Sequence, residues 1–291
     1  MFEGIIPALI TPIDENAEIN SNVLKRLIED LIIQGADGFY LCGATGEGLN
    51  LTTSQHKEMV KQTVKIVDGR VPCIAHVART VYSEMIELAQ YAEAVGVAAI
   101  SAIPPIFFKY DEDEIYSYYE KLASSVSIPI VIYNSPAAAV AFSDNLLSRL
   151  FAIPNLTSIK WTNYNYATVM SVKSRIPNAN FINGPDEMLL QGLSAGCDAG
   201  IGTTYNFLLP ETKEIYNSFK NGNMSRAREL QGYVARVCEV FSGRSTIMVA
   251  KFIMSRLGYD VYYPIHPMGR LTEKEESDVI AFLQNVGMNI K

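Results

Sequence analysis

Residues 71–103 read "VPCIAHVARTVYSEMIELAQYAEAVGVAAISAI". The stretch opens and closes on short apolar runs of strand length, "VPCIAHV" at 71–77 and "AAISAI" at 98–103. Between them, residues 82–97 carry apolar side chains at helical spacing and reach Gly96 near the stop. A strand, a helix and a second strand within about thirty residues form a βαβ unit, whose crossover makes the two strands parallel.

The same rhythm runs through most of the chain. Further strand-like runs stand at 5–11 ("IIPALIT"), 38–43 ("GFYLCG"), 128–134 ("IPIVIYN"), 156–161 ("LTSIKW"), 180–183 ("NFIN") and 199–202 ("AGIG"), which brings the number to eight. Amphipathic segments such as "SNVLKRLIEDLIIQGADG" separate them. Eight strand-then-helix units predict an α/β fold of the (β/α)8 TIM-barrel type, although a doubly wound open sheet gives similar local signals. At 291 residues and 48% hydrophobic content the chain can fill such a core. After Asn206 helical patterns follow one another at 211–221, 224–241, 245–258 and 272–285. The first serves as the eighth barrel helix, and the others predict a small C-terminal three-helix domain. The expected division is a catalytic barrel over 1–222 and a helical domain over 223–291.

Composition excludes several roles. A net charge of -7 with no Lys/Arg stripe argues against nucleic acid as a partner. The longest apolar stretch, 95–108, is shorter than the roughly 18 residues of a membrane span and contains Pro104 and Pro105. The first twenty residues lack a basic start and are interrupted by Pro7 and Pro12, so a cytoplasmic location without membrane contact is expected. Four cysteines without a CxxC pair suit reduced core thiols.

In a barrel, chemistry collects at the carboxyl ends of the strands. Those ends carry "GATGEG" (43–48), Tyr133 and Asn134, Lys160, "NGPDE" (183–187) and "GTTYN" (202–206). Alternation along the sixth strand puts Ser158, Lys160 and Thr162 on one face and Thr157, Ile159 and Trp161 on the other. If the bulky trio meets the helices, Lys160 points into the barrel, where desolvation favours the neutral amine that attacks a ketone. A snorkelling, purely structural lysine is the competing reading. Tyr133 ends the preceding strand, about 4.8 Å away, so a phenol able to shuttle protons and an amine can reach one carbonyl. An amphipathic Tyr capping a strand end is the alternative there.

"GATGEG" matches neither phosphate-loop pattern, yet its glycines permit a tight turn whose N–H groups, with the Thr45 hydroxyl, could cradle a carboxylate. His56, His76 and His266 show no metal-binding spacing, so neither a metal nor another cofactor is expected. His76 ends the third strand, where it either lines a pocket or packs in the core. Asp186 and Glu187 begin an expected helix, where acids are favoured by the helix dipole alone.

Taken in order, "GATGEG", "YNSPA", "IKWT", "NGPDE" and "GIGTTYN" resemble the dihydrodipicolinate synthase and N-acetylneuraminate lyase superfamily over essentially the whole length. The resemblance implies a class I lyase: Lys160 forms a Schiff base with pyruvate, Tyr133 shuttles protons, and the loop at Ala44 and Thr45 holds the carboxylate. The synthase branch carries an Arg shortly after its Tyr-Asn-x-Pro motif, and residues 133–142 contain none. "GPDE" and "GIGTTYN" look like the lyase branch, which implies that Thr162, Gly184, Asp186, Glu187 and Thr203 face a polyol chain. The expected substrate is a 2-keto sugar acid such as N-acetylneuraminate, cleaved to pyruvate and an aldehyde sugar by a homotetramer. A shorter 2-keto-3-deoxy acid, acted on by an aldolase or dehydratase, and a binding barrel without turnover are the alternatives. Two departures bear on the choice. Ala44 stands where relatives carry Ser or Thr, and Phe107 where they carry Tyr, so both hydroxyls that relay protons to the catalytic Tyr are missing. The chain also runs one residue short after "YNSPA", without the Gly that relatives carry there.

Overall fold

The computed structural model describes residues 1–290 apart from 17, 139, 262 and 263. All eight expected strands form: β1 (Gly4–Pro7), β2 (Phe39–Leu41), β3 (Cys73–His76), β4 (Ala99–Ala102), β5 (Ile130–Asn134), β6 (Leu156–Trp161), β7 (Asn180–Asn183) and β8 (Ala199–Gly202). They make one parallel sheet in the order β1-β8-β7-β6-β5-β4-β3-β2. A parallel bridge between Ala8 and Tyr40, with the Leu9 N–H donating to the Tyr40 carbonyl at 2.9 Å, joins β1 to β2 and closes the ring. Sequential order around a closed ring is that of a TIM barrel, since a doubly wound sheet reverses its order at a switch point.

Local signals start and stop the surrounding helices, α1 (Ser21–Ile33), α2 (Thr53–Val67), α3 (Tyr82–Ala94), α4 (Glu112–Ala123), α5 (Asp144–Leu150), α6 (Tyr166–Arg175), α7 (Leu189–Ser194) and α8 (Leu209–Lys220). Thr52 with Gln55, and Asp111 with Glu114, form reciprocal caps that satisfy free N–H groups at the starts of α2 and α4. Gly96 ends α3 at a φ of 90°, a left-handed conformation that a side chain would strain. The helix expected to begin at Asp186 opens instead as one 3₁₀ turn, Asp186–Met188, before α7.

Three helices follow: α9 (Met224–Cys238), α10 (Thr246–Arg256) and α11 (Glu273–Asn285). Residues 239–241, expected to continue α9, tighten into a 3₁₀ turn. Tyr262 and Tyr263, which open the break expected before the last helix, lie outside the described residues. The tail is bonded to the barrel: the Gln231 Oε1 accepts the Leu190 N–H at 2.7 Å, and its Nε2 donates to the Asp186 carbonyl at 3.2 Å. The four cysteines are free thiols. Among the described residues no helix is long and apolar enough to cross a membrane.

Alternation along the strands separates two cores. Ile6, Tyr40, Ile74, Val131, Ile182 and Ile201 fill the ring, while Ile5, Phe39, Ile132, Ile159 and Phe181 pack outward against the helices. Each buried aliphatic or aromatic side chain of this size contributes about 1.5–3 kcal/mol. With so much apolar packing on both faces, the polar side chains held at the carboxyl ends of the strands stand out.

Candidate active site

Lys160 is placed by a β-bulge. Ile130 pairs with Leu156, but Val131 pairs with Ser158, so Thr157 is an extra residue in β6. Without it Tyr133 would face Ile159; with it Tyr133 faces Lys160. The bulge lets Leu156 and Ile159 both join the outer core while Lys160 turns inward. Trp161 also packs outward, edge-on to Phe181 with ring centroids 6.0 Å apart.

Inside the mouth, the Lys160 Nζ lies 4.2 Å from the centre of the Tyr133 ring and 5.1 Å from that of Tyr40. Lys160 is only 7% exposed and Tyr133 6%. The two phenols have opposite electrostatics. Burial pushes the Tyr40 phenol well up, and its hydroxyl is engaged with the Ser101 Oγ at 2.9 Å. Burial also acts to raise Tyr133, but the Lys160 charge and the polar groups of Ser135, Lys160 and Thr162 outweigh it and hold the phenol below its ordinary value. A phenol whose proton is easier to remove, beside an amine, is suited to proton transfer. Alternation in "GFYLCG" between outward Phe39 and Leu41 was the available sign that Tyr40 faces inward.

The turn after β2 supplies donors. The N–H groups of Glu47 and Gly48 donate to Ala44 and Gly43 at 3.0 Å. Among the described residues the amides of Ala44, Thr45 and Gly46 make no hydrogen bond, which leaves successive N–H groups in one turn able to accept an anion. The Thr45 hydroxyl bonds the Thr203 hydroxyl at 2.7 Å and so ties this turn to the end of β8. Gly48 is obligatory, because a Cβ there would lie 1.6 Å from the Cys42 carbonyl oxygen. Ala44 brings no hydroxyl to the mouth.

Beyond β6 and β7, Gly184 makes room for Thr162: a Cβ on Gly184 would meet the Thr162 Oγ1 at 2.1 Å. That Oγ1 is buried, and its polarity helps hold the Tyr133 phenol low. The Asp186 Oδ2 accepts from the N–H of Thr204 at 2.7 Å and its Oγ1 at 2.6 Å. Burial raises the Asp186 carboxyl to about 6, with Thr204 pulling the other way and Lys160 adding a small lowering. Glu187 lies at the rim, where it accepts a short hydrogen bond from Tyr164. Within "GTTYN", Thr204 therefore holds Asp186, and Asn206 bridges β8 to β1 by donating to the Ala8 carbonyl at 2.7 Å.

A half-open cavity of about 240 Å3 lies beside Tyr133, lined among others by Ala44, Glu47, His76, Ile103 and Ser135. His76 thus reaches the cavity; burial lowers it to about 3, and its Nε2 accepts the Ile103 N–H at 3.2 Å. His56 is lowered by burial to about 4 and donates to the His76 carbonyl at 2.8 Å. A larger groove, about 920 Å3, lies between Arg79, Tyr82, Phe107 and Tyr118, and neither Lys160 nor Tyr133 lines it. Phe107 sits there 88% exposed, edge-on to Phe108. Among the described residues no three His, Cys, Asp or Glu side chains gather where they could hold a metal ion.

The chain matches the dihydrodipicolinate synthetase family over residues 1–286. It is 30% identical to the N-acetylneuraminate lyase of Rhizobium meliloti over 98% of this chain and 94% of that protein. Among solved structures, the dihydrodipicolinate synthase of Aquifex aeolicus superposes with a TM-score of 0.94 at 26% identity, each chain covered completely at 100%. YagE, a prophage protein of Escherichia coli K12 solved in complex with pyruvate, superposes with a TM-score of 0.95 at 25% identity, covering 99% of this chain and 100% of that one. With the barrel, the Tyr133 and Lys160 pair and a family match along nearly its whole length, this chain belongs to the dihydrodipicolinate synthetase family.

Proposed function

We propose that this chain is a class I aldolase that cleaves a 2-keto sugar acid of the N-acetylneuraminate type to pyruvate and an aldehyde. The observation that carries the reading is the Lys160 Nζ set 4.2 Å over the Tyr133 ring at adjoining strand ends, with the phenol held low. The Lys160 amine adds to the C2 ketone and water leaves, giving an imine. Tyr133 takes the proton of the C4 hydroxyl, the C3–C4 bond breaks, and its electron pair enters the imine to form an enamine while the aldehyde departs. A proton returned to C3, and water adding at C2, release pyruvate and restore the amine. The protonated imine is itself the electron sink, so the sequence of steps calls for no metal or organic cofactor.

The free N–H groups of residues 44–46 and the Thr45 hydroxyl hold the substrate carboxylate. Thr162, Gly184, Asp186, Glu187 and Thr203 form the side of the mouth that meets the polyol. With Ala44 in the turn and Phe107 exposed in the groove, no hydroxyl from either position reaches Tyr133 within the chain, and the substrate carboxylate, a water or another residue carries the proton onward. The three-helix tail over 223–291 serves the barrel over 1–222, and the working form is a cytoplasmic homotetramer.

Both N-acetylneuraminate lyase and dihydrodipicolinate synthase stand among the relatives, and the absence of an Arg in residues 133–142 favours the lyase side. Measuring pyruvate release from N-acetylneuraminate and from a 2-keto-3-deoxy hexonate tests the substrate. Release from the first is expected; release from the second alone would assign the shorter acid. Lack of release from either and from further 2-keto acids, with an imine still formed, would make the barrel a binder.

A further inference from the structure

A second lysine is buried in this molecule, and the mechanism above does not use it. Lys251 lies within "IMVAKFIM" on α10, and its ammonium pairs with the Glu47 carboxylate, both side chains being 0% exposed. Glu47 belongs to the turn that offers the free N–H groups, two residues beyond Thr45. We propose that Lys251 and Glu47 are positioning residues, whose buried ion pair locks residues 43–48 into the conformation that grips the carboxylate of a keto acid. The proposal rests on the Schiff-base reading for its ligand and on geometry for its mechanism.

Glu47 adopts a φ of 54°, in the left-handed region that a residue with a side chain enters only when its surroundings impose it. The surroundings here are specific. One carboxylate oxygen meets Lys251, and the other, Oε2, accepts the Ile265 N–H at 2.7 Å, so the side chain is fixed at both oxygens by the C-terminal tail. One residue earlier, the Gly46 carbonyl accepts the Thr11 hydroxyl at 2.7 Å, which fixes the other side of the same peptide unit. Released from the pair, the backbone at Glu47 can relax out of the left-handed region, and the turn that carries the N–H groups just before it loses its fixed geometry. Two ions so buried are a poor device for stability alone, because desolvation consumes most of their attraction; fixing one geometry is the better-attested use. Burial holds the Lys251 ammonium below its ordinary value, and Glu47 offsets only part of that. Glu47 also lines the cavity beside Tyr133, which puts the ion pair next to the reacting centre without contact to Lys160.

The test compares two ketones on the full-length protein. Pyruvate carries the carboxylate, and acetone replaces it with a methyl group; each is trapped on Lys160 by borohydride and quantified by mass. In Lys251→Met, the pyruvate concentration for half-trapping is expected to rise about tenfold to a hundredfold, the scale of an alignment error near 1 Å, while acetone trapping stays within about twofold. General damage to the fold would lower both in proportion. The double variant Glu47→Gln/Lys251→Met leaves no uncompensated charge and serves if the single variant folds poorly; it is expected to show the same selective loss. Hydrogen exchange at amides 43–48, expected to quicken in both variants, reads the loop without any ketone. An unchanged pyruvate-to-acetone ratio, a proportional loss of both, or unchanged amide protection would each overturn the proposal. Absence of any adduct in the parent would overturn the Schiff-base reading instead, and the exchange data would then decide this one.

Discussion

The loops that follow β2 and β4 both leave ordinary backbone space, at Cys42 and Glu47 in the first and at Phe107 in the second, yet they are built in opposite ways. The first is tethered from four directions: Thr11 to Gly46, Thr203 to Thr45, Lys251 to Glu47, and the Arg79 guanidinium to the Gly48 carbonyl at 2.6 Å. The second presents Phe107 at 88% and Phe108 at 64% exposure, resting edge-on against each other with centroids 5.0 Å apart. A left-handed residue alone therefore does not mark a site. What distinguishes the first loop is that its unusual backbone is imposed by buried partners and leaves donors free at the barrel mouth.

Four substitutions sharpen or break this contrast. Lys160→Met removes the amine that shares the barrel mouth with the tethered loop. Keto-acid cleavage is expected to fall by at least about 10⁴-fold, the scale of losing a nucleophile, with the melting temperature little changed. Retained cleavage would disconnect the tethered loop from any chemistry at Lys160.

Lys251→Met leaves the Glu47 carboxylate buried and uncompensated, which is expected to cost about 3–5 kcal/mol in urea unfolding; adding Glu47→Gln should recover most of it. If the single and double variants proved equally stable, the tether would not be electrostatic.

Asp186→Asn probes the side of the mouth across from the loops through pH. Burial raises the Asp186 carboxyl to about 6, above the roughly 3.9 of an unfolded Asp. The folded state therefore holds the extra proton between those values, and this contribution to stability is complete below about pH 4 and lost as pH rises through about 6. Between pH 4 and pH 7 the Asn variant should gain about 2 kcal/mol relative to the parent, read from urea midpoints at the two pH values. His56 and His76, lowered to about 4 and about 3, act oppositely: their contribution is full above about pH 6.5 and lost as pH falls, in parent and variant alike. A difference between the two proteins that does not change with pH would show Asp186 ionising like an exposed acid.

Phe107→Ala tests the untethered loop and is expected to change stability by less than about 0.5 kcal/mol, as for an exposed side chain. A larger loss of stability, concentration-dependent in a thermal melt, would mean that this aromatic pair is covered in the assembled protein.

How much of this could be read from the sequence follows from the range of the forces involved. Strand and helix periods are local, so eight strands and the barrel order were legible, as was the inward turn of Lys160 from the bulky Ile159 and Trp161 beside it. The reason for that turn was not legible. Thr157 as an extra residue exists only relative to the pairing of Ile130 and Val131 on another strand. Lys251 escaped notice because one lysine on an apolar helix resembles a snorkelling surface residue, and its partner Glu47 lies far away in the chain. Asp186 and Thr203 stand out through motifs, but Thr204, which bonds the buried Asp186 carboxyl, becomes meaningful only once the ends of β7 and β8 adjoin.

The most direct test treats the protein with pyruvate and borohydride, then maps the modified peptide by mass spectrometry. A single reduced pyruvyl group on Lys160, absent from Lys160→Met, is the expected result. An unmodified Lys160, or an adduct on another lysine that persists in that variant, would contradict the assignment of this amine as the nucleophile.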